Sequence, residues 1–215
     1  EQLKGMLRRS KYHWHNHGTT RGEGWCMKAL VLCFQATSEK SLKEHAIHRL
    51  HNMIDKYRGR PPNGYAFRQG PHPNAFGPGV SWDAPWQQAA YVMGMAAAFR
   101  YFGDPKFRTV AIDVAEYMAG PGWLEGVGPK YFVATDDPAR YKLPEGYGPL
   151  GGSAEFQVSA FVLAAELADE VGKKKEAALF RSRADTIMNA HRQSGWDALC
   201  ANKWFQIYLD RRTNR

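Results

Sequence analysis

The densest group of chemically able side chains lies near the start of the chain. His13, Trp14, His15, Asn16 and His17 run together there, with Arg21 and Glu23 following. An amide or a neutral imidazole can hydrogen-bond a carboxylate and so acidify the proton on the adjoining carbon, which a histidine or tyrosine can then remove. Arg21 adds a permanent positive charge suited to clamping an anion. The alternating His13, His15 and His17 would share one side of an extended strand, a spacing able to hold zinc or copper with His72 as a further ligand. A loop that leads into a helix does not enforce that extension, so no metal is expected. A histidine-rich loop that merely closes a helix end is the competing reading.

Hydrolysis of a glycosidic bond would instead need two carboxyl groups, one protonated and one ionised, flanking the scissile bond. Asp83, in the string Ser81 to Trp86, and Glu155, just after Gly151, Gly152 and Ser153, each stand at the start of an apolar helical segment. A carboxylate at that position also serves as an ordinary helix cap, the plainer role for either one. Trp14, Tyr65, Trp82 and Tyr147 offer flat apolar faces beside these polar groups, the mixture that a pyranose ring with its hydroxyl edge requires. Trp25 and Trp86 fall inside helices and are expected in the core. Gly148, Gly151 and Gly152 would let backbone approach a ligand, yet they do not form the GxxxxGK[ST] phosphate loop, and no cofactor is expected.

These residues are held by a repeating order of elements. Turn signals predict helices over 23–36 and 39–57, 85–102 and 105–118, and 154–171 and 173–190. Gly103-Asp104-Pro105 splits the second pair, with Asp104 placed to cap and Pro105 at a first helical position. The first helix of each pair is apolar nearly all round, as in the run Ala89 to Ala98, and such helices are enclosed by protein. The second is striped, as with Val110, Ala111, Val114, Ala115 and Met118, and belongs outside. Lys40, Lys106 and Lys175 fall at equivalent places, so the repeat is one of architecture more than of residues. The long loops 11–22, 58–85 and 120–153 all precede inner helices, which puts them at one end of an up-and-down arrangement. His15, Asn16, His17, Arg21, Trp82, Asp83 and Glu155 would then surround one cleft.

A length of 215 residues, at 24.3 kDa, suits one domain spanning 1–215. A net charge of +8 favours polyanionic partners. No helix-turn-helix, zinc-finger or RNA-binding motif is present, so nucleic acid is not expected as the partner. No apolar run is long enough to cross a membrane, and no membrane partner is expected. Cys26 and Cys33 lie on one helix about 10 Å apart along its axis, too far to bridge, whereas Cys200 could pair with one of them in an exported protein. The start at Glu1 does not reveal export, and a periplasmic or secreted setting is favoured.

The order of loop, buried small-residue helix, tight turn and amphipathic helix, with turn strings such as Phe102-Gly103-Asp104-Pro105-Lys106-Phe107, resembles the six-hairpin (α/α) toroid glycosidases and polysaccharide lyases. The resemblance covers nearly the whole chain. It implies an all-α fold of three consecutive hairpins forming an incomplete toroid-like arc, since a full toroid needs roughly twice this length. It also implies a carbohydrate-active enzyme acting on an acidic, uronate-containing polysaccharide by β-elimination or hydrolysis. Asn16 and His17 resemble the Asn and His pairs of the toroid lyases, with Arg21 as anion clamp and Tyr65 or Tyr147 as base or acid. The alternatives are a non-catalytic hairpin domain that binds a glycan or a protein, or half of a larger enzyme. An open arc implies self-association or a missing half-toroid, unless the striped segment Trp196 to Tyr208 covers the flank as a seventh helix.

Overall fold

A computed structural model of the chain describes residues 20–57, 76–80, 82–134, 136–143 and 154–194. The expected helix over 196–208 lies outside them. The described residues contain six helices in three successive pairs: α1 (Thr20–Thr37) and α2 (Lys40–Tyr57), α3 (Pro85–Phe102) and α4 (Pro105–Ala119), α5 (Ala154–Glu170) and α6 (Lys174–Ser194). The fold is all-α, as the periodicity of the sequence requires. The main departure is at α1, which begins at Thr20 and thus takes in Arg21, expected in a loop. Gly22 and Gly24 weaken helix propensity there and hide the start.

The turn between α3 and α4 follows its residues. Gly103 adopts φ 79°, donates its N–H to the Phe99 carbonyl and ends α3. Only glycine takes that left-handed conformation without steric cost. The Asp104 carboxylate then accepts from the Lys106 N–H at 2.9 Å and caps α4, with Pro105 as its first residue.

The three inner helices run parallel. Near their starts, α1 and α3 approach so closely that a Cβ on Gly24 would sit 2.5 Å from the Ala90 carbonyl carbon. Near their ends, the rings of Phe34 and Phe102 stand 5.5 Å apart. At the end of α3, Arg100 binds Glu170 at 2.5 Å and Glu166 at 3.8 Å, both in the closing turns of α5. All three inner helices therefore begin at the same end of the molecule. α3, in the middle, buries Ala89, Val92, Met93, Met95, Ala96 and Ala98, as its composition demands. On α1, by contrast, Leu32 remains 47% exposed, so this inner helix is not enclosed on every side.

The outer helices lean toward the hairpin that follows. His51 and Asp55 of α2 reach the α3–α4 turn, binding Asp104 at 2.7 Å and Lys106 at 2.9 Å. Glu116 of α4 likewise binds Lys173 in the α5–α6 turn at 2.9 Å. Beneath these polar ties, Leu50, Phe107, Val114, Met118, Phe161 and Phe180 belong to one continuous core.

Five short strands complete the described structure, and they belong to the loop end. They are β1 (Trp82–Asp83), β2 (Trp123–Leu124), β3 (Gly128–Pro129), β4 (Phe132–Ala134) and β5 (Tyr141–Lys142). β1 pairs antiparallel with β4, Trp82 opposite Ala134, and β4 pairs antiparallel with β5. The β1–β4 ladder joins the loop before α3 to the loop before α5.

Candidate functional site

Of the residues expected around one cleft, Trp82 and Asp83 are placed by β1 directly ahead of α3. Arg21 lies in the first turn of α1 and Glu155 in the first turn of α5, the same end of the parallel inner helices. Trp14, His15, Asn16, His17, Tyr65 and Tyr147 lie outside the described residues, as do His13, His72 and Cys200.

Trp82 and Trp86 are both buried and form a small aromatic cluster with Ala84, against which Phe76, Tyr131 and Phe132 pack. Trp82 meets the Phe132 ring edge-on at 4.7 Å, and Trp86 stacks on Tyr131 at 5.9 Å. The core role expected for Trp86 is what its burial gives. Trp82 is equally enclosed, so the rings of this group that reach solvent are the half-buried Phe76, Tyr131 and Phe132.

Asp83 does not cap α3. The N-cap is Ala84, without a side-chain hydrogen bond, and the Asp83 carboxyl is wholly buried. Its Oδ2 accepts the hydroxyl of Tyr117 from the last turns of α4, while Oδ1 has no hydrogen-bond partner among the described residues. Burial is the larger influence on this acid and pushes its pKa up to about 7, although the Tyr117 hydrogen bond and the charge of Lys130 both pull it down. The same burial and the adjacent carboxylate hold Tyr117 well above the usual phenol range. The pair closes a clasp around the second hairpin, from the strand before α3 to the end of α4. An acid so enclosed fastens β1 to the end of α4.

Lys130, buried beside this clasp, donates to the Pro138 carbonyl at 2.8 Å and stands 4.9 Å from the Tyr141 ring centre, and its pKa is lowered by burial. On the other strand of the hairpin, Arg140 and Lys142 stand 5.9 Å and 5.6 Å from the centre of the Phe76 ring. The sequence reading missed Tyr117, which falls within the apolar run of α4, and it missed the cations Arg140 and Lys142 at β5. It also missed Gln157, wholly buried near the start of α5, whose amide nitrogen and oxygen have no hydrogen-bond partner among the described residues. Gln88, also wholly buried, holds the same fourth position of α3, and an amide recurring at one place in two apolar helices is the signal that would have found both. The described residues contain no cluster of three metal-ligating side chains.

With that arrangement in view, comparison with solved structures gives a likeness of fold. A crystal structure of a sugar epimerase from a ruminal bacterium shares the fold. It aligns with 84% of this chain at a TM-score of 0.52 and 11% identity. The alignment covers 53% of that protein, so the chain spans about half its length. At such low identity the likeness is one of fold. No family model matches the sequence, and no curated protein matches it.

Proposed function

We propose that this chain is a carbohydrate-active hairpin domain, an enzyme or the hairpin portion of one, that acts on an acidic polysaccharide at its loop end. The observation that carries this reading is the convergence there of three parallel inner-helix starts, the β1–β4 junction and an aromatic cluster. Inner-helix N-termini present partial positive charge to an anion bound in front of them. The hairpin order and the fold shared with a sugar epimerase support membership in a partial six-hairpin toroid.

The reaction proposed is β-elimination from a uronate unit, or hydrolysis. Elimination and epimerisation beside a carbonyl both begin by removing a proton from a sugar carbon, so the fold likeness favours proton-transfer chemistry over hydrolysis. In this scheme Asn16 pairs with the substrate carboxylate, His15 or His17 takes the proton, and Arg21 clamps the anion. Trp14, Tyr65 and Tyr147 hold the ring. Glu155 supplies a carboxyl for the hydrolytic route, while Asp83 with Trp82 positions the floor of the site. The second reading, a non-catalytic hairpin domain binding a glycan or a protein, is favoured by the 53% coverage of the epimerase, because decisive residues could then lie in another part of a larger enzyme.

A panel of uronate polymers separates these readings. Elimination generates ultraviolet absorbance from the unsaturated product, hydrolysis releases reducing ends without it, and epimerisation incorporates solvent deuterium at the sugar carbon. His17→Ala is expected to abolish turnover while changing stability by less than about 1 kcal/mol, the size usual for a loop substitution away from the core. A large stability loss with turnover intact would make this histidine structural. Tight binding without any turnover would favour the non-catalytic reading.

A further inference from the structure

We propose that Arg140, Lys142 and Phe76 form a binding subsite for one carboxylate-bearing unit of an acidic oligosaccharide, a placement that rests on the carbohydrate reading above. β5 is an edge strand of its sheet, and Lys142 within it and Arg140 just before it are both exposed. Arg140 and Lys142 are two residues apart, so they project to the same side of an extended strand. Their convergence on Phe76, at 5.9 Å and 5.6 Å, agrees with that geometry.

Their charge is available to a ligand. Arg100, Lys106, Lys173, Arg181 and Arg183, by contrast, are tied to carboxylates, at Glu170, Asp55, Glu116, Asp169 and Glu125 respectively. Arg140 and Lys142 form no ion pair among the described residues, and each instead rests against an aromatic ring. A ring holds a cation in place without neutralising it. On the same hairpin the Asp137 carboxylate is engaged in the turn, where it accepts the Ala139 N–H at 3.0 Å. Lys130 has its ammonium on the Pro138 carbonyl and is not free to serve.

Phe76 supplies the apolar component. It is half-buried and packed against the Trp82 and Trp86 cluster, with both cations within 6 Å of its ring centre. A uronate unit matches this triad, with its carboxylate between guanidinium and ammonium and its C–H face against the ring. A neutral sugar would gain only the ring contact, and a bare anion only the cations.

The test is calorimetric titration of the full chain with a uronate oligosaccharide, with its carboxyl-reduced neutral counterpart, and with duplex DNA of similar charge. The expected result is uronate binding that weakens with salt and falls at least about tenfold in Arg140→Ala/Lys142→Ala, with Arg140→Lys/Lys142→Arg retaining most of it. The neutral counterpart should bind weakly and be indifferent to these changes. Both side chains are exposed, and circular dichroism should confirm that the variants keep their helices. Undiminished uronate affinity in the alanine variant would overturn this subsite while leaving the carbohydrate reading in place. Wild-type protein that bound neither sugar would end both. Equal affinity for DNA would make the edge a general anion surface and overturn its specificity for sugar.

Discussion

Asp83 shows how far a single residue can depart from its sequence context. A carboxylate just ahead of a helix ordinarily caps it, but here Pro85 occupies the first helical position and β1 turns the acid inward onto Tyr117. The folded protein holds its pKa near 7, against an ordinary 3.8, so between those values the native state retains a proton that the unfolded chain has lost. Stability from this group is therefore fully present below the lower value and is lost as pH rises through the upper one, by roughly 4 kcal/mol at most. Asp83→Asn should abolish that slope. Urea unfolding at pH 5 and pH 8 is expected to show wild type losing more stability than the variant at the higher pH. Equal losses would mean that the carboxyl ionises freely. Nothing in the local sequence carried this, because burial depends on Tyr117, distant in the chain, and a tyrosine within an apolar stripe looks like any other core ring. Arg140 and Lys142 were obscure for a similar reason: their isolation from acids is a property of the sheet edge. Trp86 was legible, since a tryptophan at the second position of an apolar helix has few places to go other than inward.

The helices themselves were readable almost throughout. α3 runs over Pro85–Phe102 as the sequence indicates, because proline, the left-handed glycine and the capping aspartate each fix a boundary by local sterics or a local hydrogen bond. Where local signals conflict with packing, the reading slips, and α1 is the example. Its glycines look like loop residues, yet Gly24 is there so that the helix can lie against Ala90, with Gly94 answering from α3, where an added Cβ would meet the Gly24 carbonyl oxygen at 3.1 Å. Gly24→Ala would force a methyl group onto backbone atoms that cannot yield. The expected cost is about 1–3 kcal/mol, the usual penalty of overpacking, despite the higher helix propensity of alanine. A thermal melt checks it, and a variant as stable as wild type would mean that α1 and α3 stand further apart than described.

At the scale of the molecule, the order of inner and outer helices was legible because each inner helix is too apolar to face water and each outer one too charged to be enclosed. What covers the flank of α1 could not be read in the same way, since the stripe from Trp196 to Tyr208 carries no local signal that says where it docks. With Leu32 exposed there, we expect the isolated chain to self-associate or to bind an apolar dye. Sedimentation as a clean monomer without dye binding would show the flank to be covered. The Asp83–Tyr117 clasp has a further consequence for how the protein opens. By fastening the segment before α3 to the end of α4, it makes the middle hairpin a closed cooperative unit, whereas the first and third hairpins are held to it through exchangeable polar ties and one face of the core. Amide hydrogens of α3 and α4 should accordingly be the slowest to exchange with deuterium, surviving partial openings that release α1 or α6. Once intrinsic exchange rates are divided out, their protection should fall as pH passes neutrality, when the buried carboxyl takes up its charge.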